Sequence, residues 1–175
     1  MGKTDSVQRY APPAGLAARG CALRAEAAAD RPFLEHLYTA VRWPELEPSG
    51  WPEEAKLGFL RQQYALQDRH YALHYAAGEF LILERDGVPV GRLYLHRDAG
   101  DIRIVDISLL PEVRGQGLGT LLLQGVGAEA VAAGQTVSIH VEKFNPAQSL
   151  YRRLGFKEIG DSGPYWLMEW RPGEP

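Results

Sequence analysis

Gly115, Gly117 and Gly119 stand close together in the stretch LLPEVRGQGLGTLLL, between an apolar run and a second apolar stretch with helical spacing. Glycine is a poor choice inside a strand or a helix, so the spacing points to a backbone that must stay bare. A strand that passes through such a turn into a helix N-terminus is an anion site. The first N–H groups of the helix have no intrahelical acceptor, and the dipole adds positive potential. Without Cβ atoms in the way, a phosphate can touch the main chain. The chemistry implied is capture of a phosphate, in the simplest case a diphosphate, by the amides of Gly115 to Thr120. No lysine follows Gly119, which excludes the nucleotide-hydrolase loop. The spacing G-x-G-x-G also departs from the dinucleotide fingerprint. A purely structural turn, with glycines that merely permit positive φ, is the alternative the segment leaves open.

The elements that must hold this loop can be read on either side of it. CALRAEA alternates weakly and reads as a first strand. Asp30, with Pro32 in the first turn, reads as the cap of a helix through Phe33, Leu34, Leu37 and Val41. RWPELEPSGWP should break that helix, and a second should run from about Glu53 to Asp68. In EFLILERDGVPVGRLYLHRDAGDIRIVDISLL, Asp86-Gly87 and the segment Asp98 to Asp101 mark turns between three antiparallel strands, the last ending near Leu110. Leu118, Leu121, Leu122 and Val126 keep helical spacing up to Gly134. TVSIHV is a strand. Asn145, Pro146 and Gln148 read as the cap, first position and capping box of a short helix that Gly155 stops. FKEIG and YWLMEW finish the sheet. This order predicts an α/β (α+β) fold: a mixed, mostly antiparallel central sheet with helices on both faces. Residues 1–19 read as a flexible N-terminal arm and 20–171 as a single domain.

Bulk properties narrow the classes further. The 175-residue chain is 45% hydrophobic and 23% charged, which suits one soluble domain. A net charge of -3 gives no general reason to bind nucleic acid or an acidic membrane. Cys21, the single cysteine, rules out an internal disulfide and points to a reducing, cytoplasmic setting. It reads as a buried structural thiol rather than a nucleophile. No apolar run approaches the roughly 20 residues of a membrane helix, and no signal peptide is visible. The start MGKTDS fits an N-myristoylation pattern, with no polybasic partner to strengthen an anchor.

These segments together resemble a known family. RGQGLG (Arg114 to Gly119) is similar to the [RQ]-x-x-G-x-[GA] pyrophosphate motif of the GNAT superfamily of acetyl-CoA-dependent N-acetyltransferases. VDISLLPEVRG upstream resembles its central-strand segment, and NPAQSLYRRLGF downstream resembles its asparagine-to-LYEKLGF segment. The element order agrees from about Gly20 to Trp170. The resemblance implies the GNAT acyl-CoA N-acyltransferase fold and transfer of an acetyl group from acetyl-CoA, a cosubstrate, to a primary amine. No metal is implied. A non-catalytic acyl-CoA-binding sensor or regulatory module is the rival reading.

On that resemblance the diphosphate sits on the amides of Gly115, Gln116, Gly117, Leu118, Gly119 and Thr120, with Arg114 beside it. The pantetheine arm runs along Ile107, Ser108 and Leu109, in a gap between this strand and TVSIHV. An amide near Leu109 points at the thioester carbonyl, and Asn145 contacts the arm. Asn145 and Tyr151 stand one residue closer together than is usual in the family. Tyr151 matches the family's general acid, placed to protonate the leaving thiolate; packing beside Leu150 and Leu154 is its alternative. Asp106 shares a strand face with Ser108. It is a candidate proton acceptor, or alternatively a structural hydrogen-bond partner or counter-charge for the amine. His140 could meet substrate or be a satisfied surface or core histidine. Attack is direct, in a ternary complex, since no acyl-enzyme nucleophile is in view. The acceptor is a small molecule, a peptide N-terminus or a lysine. Its pocket is expected between VRWPELEPSGWPEE and DSGPYWLMEW, where Trp43, Trp51, Tyr165 and Trp166 accompany Glu45, Glu47, Glu53 and Glu54. A homodimer is an expectation carried by the family alone.

Overall fold

A computed structural model describes residues 9–174. Seven strands form one sheet in the order β1-β2-β3-β4-β5-β7-β6. They are β1 Cys21–Ala25, β2 Glu79–Arg85, β3 Val88–Arg97, β4 Asp101–Leu109, β5 Thr136–Glu142, β6 Lys157–Ser162 and β7 Tyr165–Trp170. Every neighbouring pair is antiparallel except β4 with β5. The helices are α1 Ala14–Ala17, α2 Arg31–Leu46, α3 Glu53–His74, α4 Leu118–Ala133 and α5 Gln148–Arg153. The sheet is therefore mixed and mostly antiparallel, as the sequence predicts.

The continuous apolar run in β2 has a simple cause: both faces of the strand are covered. Ile82 packs with Leu34 of α2 and Tyr64 of α3. Leu81 and Leu83, pointing the other way, join the cluster of Leu122 and Val126 from α4. The β2–β3 hairpin closes through Asp86 (φ 51°) and Gly87 (φ 78°), both left-handed as the Asp-Gly signal requires.

One irregularity shapes everything that follows. Tyr94 pairs with Asp106 and Leu95 with Ile104, which leaves Val105 as a surplus residue in β4. Such a bulge bends its strand and strengthens the local twist. Past it, Asp106 lies opposite Tyr94 on the α3 face, while Ile107 and Leu109 pack against the α4 cluster.

Several expected boundaries move. The α2 helix does not stop before Trp43 but carries Pro44 inside it to Leu46, and α3 runs past Asp68 to His74. Asp30 makes no side-chain cap on α2. A 3-10 turn, Ala28–Asp30, precedes the helix, and the Asp30 carboxylate accepts the Ala27 N–H at 2.8 Å and pairs with Arg24 at 2.7 Å. The capping box expected at Asn145 is not formed. The α5 helix begins at Gln148, whose amide donates to the Glu142 and Lys143 carbonyls at 3.0 and 2.6 Å instead.

The described part of the expected N-terminal arm, residues 9–19, is packed against the domain. Tyr10 and Leu16 are buried. The N–H groups of Arg9 and Tyr10 donate to Glu79 Oε1 at 2.6 and 3.0 Å, and Tyr10 Oη donates to the Leu122 carbonyl at 2.9 Å. Gly125 makes the approach feasible, because a Cβ there would collide with the Tyr10 ring. Removing only that hydroxyl, Tyr10→Phe, is expected to cost about 1 kcal/mol, measured as a lower urea midpoint at unchanged slope. The MGKTDS start lies outside the described residues. Among those described, no helix is long and apolar enough to cross a membrane.

Candidate active site

β4 and β5 are zipped only from Asp101↔Thr136 to Ile104↔Ile139. Asp101 fastens the closed end: Thr136 Oγ1 donates to it at 2.8 Å, and Ser138 Oγ donates to its other oxygen. Beyond Ile104 the bulge turns β4 away. Asp106–Leu109 keep β3 on one side, and His140–Glu142 keep β7 on the other, so a wedge opens between the two strands. The Leu110 N–H donates to Val90 on the β3 side at 2.9 Å. Because main-chain groups alternate along a strand, those of Ile107 and Leu109 face the wedge. Arg114 Nε reaches the Leu109 carbonyl there at 3.0 Å, tying the glycine loop to the strand end.

The loop itself follows the 3-10 turn Pro111–Val113. Gly115 (φ 70°) and Gly117 (φ 78°) adopt left-handed conformations that other residues occupy only at a cost. Leu118 is buried and starts α4, so the loop joins the end of β4 directly to the helix N-terminus. None of the N–H groups of Gly115, Gln116, Gly117, Leu118, Gly119 and Thr120 donates to another described residue. A Cβ at Gly115 would meet open space, and one at Gly119 only the Leu150 side chain at 3.4 Å. Bare, unpartnered donors at a helix N-terminus fit a diphosphate.

On the α3 face of the wedge sits a buried polar cluster. Asp106 Oδ2 accepts from Arg92 at 2.6 Å and from Tyr71 Oη at 2.9 Å; Oδ1 accepts from Ser108 at 2.6 Å. Burial alone would push this carboxyl up. The Arg92 charge and the three donors overcome that and hold it below the usual carboxylate range. Arg92, 3% exposed, also donates to Gln67 at 2.7 Å and lies 4.9 Å from the Tyr94 ring centre, while its Nε has no partner among the described residues. Of the three sequence readings of Asp106 (proton acceptor, structural hydrogen-bond partner, counter-charge), this geometry supports the structural one. A carboxylate so occupied and so acidic is a poor proton acceptor near neutral pH.

Tyr151 is buried against Phe156, with ring centres 5.8 Å apart. Burial, with the Asp106 charge second, raises its phenol well above the ordinary value. Asn145 Oδ1 accepts the Ala147 N–H at 2.9 Å, a local turn bond that accounts for its acceptor oxygen. His140 is exposed and takes a 2.6 Å contact from Arg103; burial and then that charge lower its pKa, so it is neutral at pH 7. Cys21 is buried, with Sγ 3.6 Å from the Arg19 carbonyl.

Between α2, α3 and the ends of β5 and β7 lies a cavity of about 290 Å³, lined by Tyr38, Arg42, Glu45, Phe59, Glu142 and Tyr165. Glu45 and Tyr165 were expected there. Trp43, Trp51 and Trp166 instead pack on Lys56, Phe59 and Lys143. Arg42 bridges Glu142 at 2.7 Å and Glu45 at 3.0 Å, which leaves one carboxylate charge in excess. Arg42, Glu142, Tyr71 and Arg92 escape sequence reasoning. For Arg92 one signal exists: an arginine amid the apolar residues of β3 demands a buried partner.

A family model described as an acetyltransferase (GNAT) domain matches residues 76–158. A Bacillus subtilis (strain 168) protein, provisionally named a ribosomal-protein alanine N-acetyltransferase, is 31% identical over 110 residues, 58% of this chain and 73% of that protein. Among solved structures, a PaiA N-acetyltransferase of Thermoplasma acidophilum in complex with coenzyme A superposes with a TM-score of 0.65 at 20% identity, over 86% of this chain and 98% of that one. Arabidopsis thaliana Naa50 in complex with a bisubstrate analogue superposes with a TM-score of 0.57 at 18% identity, over 86% and 98% of the two chains. At such identities the structural likeness speaks for the fold.

Proposed function

The chain belongs to the GNAT superfamily and is an acyltransferase, and from that premise we propose that it transfers the acetyl group of acetyl-CoA to a primary amine by direct attack in a ternary complex. The observation that carries this reading is the wedge beside β4, whose open end meets the unpartnered amides of Gly115 to Thr120. Acetyl-CoA supplies a thioester carbonyl to the amine. The loop amides hold its diphosphate. Ile107 and Leu109 offer their wedge-facing main chain to the pantetheine arm as a neighbouring strand would. The Leu109 N–H is the donor aimed at the developing oxyanion.

The amine comes from the other face, through the cavity beside Arg42 and Glu142. The excess carboxylate charge there attracts an ammonium ion. An alkylammonium has a pKa of about 10.4 in water, and desolvation in the wedge lowers it. Asp106 stays ionised and positions Ser108 and Tyr71; the amine's proton leaves to water. As the nitrogen–carbonyl bond forms and the carbon–sulfur bond breaks, Tyr151, protonated throughout the working range, donates to the departing sulfur and is reprotonated by the second proton that the acylated nitrogen sheds. Cys21, buried against Arg19, takes no part.

The test is an acceptor screen with acetyl-CoA, following thiol release and acetylated product by mass spectrometry. Peptides with a free N-terminal alanine form the first arm, because the B. subtilis relative's name points there. Lysine peptides and small polyamines are the others. Tight CoA binding without thiol release in every arm would replace the enzyme with an acyl-CoA sensor. Tyr151→Phe is expected to lower kcat by about 100-fold, the low end for acid catalysis, with little change in CoA affinity. Equal loss of both would reduce Tyr151 to a packing residue.

A further inference from the structure

Arg19 lies in the turn between α1 and β1, far from the glycine loop in sequence. Its guanidinium nevertheless donates to the Gln116 carbonyl, and a Cβ on Gly117 would stand 3.1 Å from its Nη1. No carboxylate pairs with Arg19 among the described residues. Its one hydrogen bond to the loop goes to a carbonyl oxygen, so it occupies none of the loop N–H groups as a partner. A guanidinium has five N–H donors, so most of its capacity remains.

Its backbone is held firmly. The Arg19 N–H donates to Leu16 at 3.0 Å, Leu16 is buried, and the segment before it is pinned through Tyr10 to Leu122 of α4, the helix whose mouth forms the anion site. A cation with no carboxylate partner among the described residues is thus delivered by the N-terminal segment to the edge of loop amides that donate to no described residue. We infer that Arg19 binds the diphosphate of CoA, so that residues 9–19 complete the donor site from outside the family motif. The inference rests on the glycine loop being the CoA cradle.

Loop ordering through the Gln116 bond is the competing role, and Arg19→Gln separates the two. Glutamine keeps a donor but loses the charge. Calorimetric titrations with CoA, dephospho-CoA and phosphate-free pantetheine, each at low and high salt, give the readout. Arg19→Gln should weaken CoA and dephospho-CoA alike by about tenfold, flatten the salt dependence of CoA binding, and leave pantetheine unchanged. Arg19→Lys should recover most of the loss. Wild-type affinity for CoA in Arg19→Gln overturns the inference. So does weaker CoA binding with an unchanged salt dependence, which would mark loop ordering, equal weakening of pantetheine, which would mark a general loss of structure, or a loss seen with CoA but not dephospho-CoA, which would mark the 3′-phosphate. Wild-type protein that binds no CoA would instead sink the cradle itself, and Arg19's role with it.

Discussion

Asp106→Ala should lower the unfolding free energy by about 3–5 kcal/mol, as removal of one partner of a buried ion pair typically does. For a chain of this length that amounts to a fall in Tm on the order of 10 °C. The loss is large because of what stays behind. Arg92 is buried, and among the described residues its Nε already lacks a partner and Gln67 would remain as its hydrogen-bond acceptor. Tyr71 and Ser108 would lose their acceptor as well. The double replacement Arg92→Met with Asp106→Leu should recover most of the stability, since apolar residues of similar volume often replace a buried pair at little cost. If Asp106→Ala melts like the wild type, the pair holds nothing together. The pH dependence follows in sign. The folded carboxyl is held below its unfolded value of about 3.9. Its contribution is therefore complete above that value and disappears as pH falls through the depressed folded one. Asp106→Asn should lack this part of the acid transition. Its rate profile between pH 6 and 9 should keep the wild-type shape, because a group titrating in the acid range sets no limb there.

Gly117→Val is expected to weaken CoA binding by at least about 100-fold, the factor that a loss of nearly 3 kcal/mol corresponds to. Two costs meet at this residue. Its φ of 78° belongs to the left-handed region, where a β-branched side chain is strained. The new atoms would also enter the space between Arg19 and the loop amides proposed to hold the diphosphate. Strain in one exposed loop residue costs only about 1–2 kcal/mol, so the melting temperature should fall by a few degrees while binding disappears. Isothermal titration beside a thermal melt reads both. Undiminished CoA affinity would put the diphosphate elsewhere.

The sequence was most legible where a local rule has a single solution. Asp86-Gly87 could hardly be anything but a hairpin, and the apolar spacing after Gly117 could hardly be anything but a helix. The glycine loop was legible for the same reason: bare backbone before a helix has few uses. What escaped depends on contacts distant in sequence. Proline inside α2 is tolerated because the helix is already anchored by Leu34 and Leu37, which are buried by other elements. Residues 9–19 read as an arm because Pro12, Pro13, glycine and alanine dominate them, and Glu79 and Gly125, which receive them, lie far along the chain. The Arg42–Glu142 bridge joins helix and strand across 100 positions, and no periodicity announces it.

The surplus residue at Val105 has a consequence beyond opening a slot. Strand side chains alternate, so one extra peptide unit inverts the parity of all that come after it. In an unbroken β4, Asp106 and Ser108 would be driven among Leu122 and its apolar neighbours, and Ile107 and Leu109 would be turned toward the amine's entrance. On the proposed function, a single inserted unit thus decides which half of the strand's tip addresses the donor and which addresses the acceptor. The two half-sites share one phase, and neither can be shifted without exchanging them.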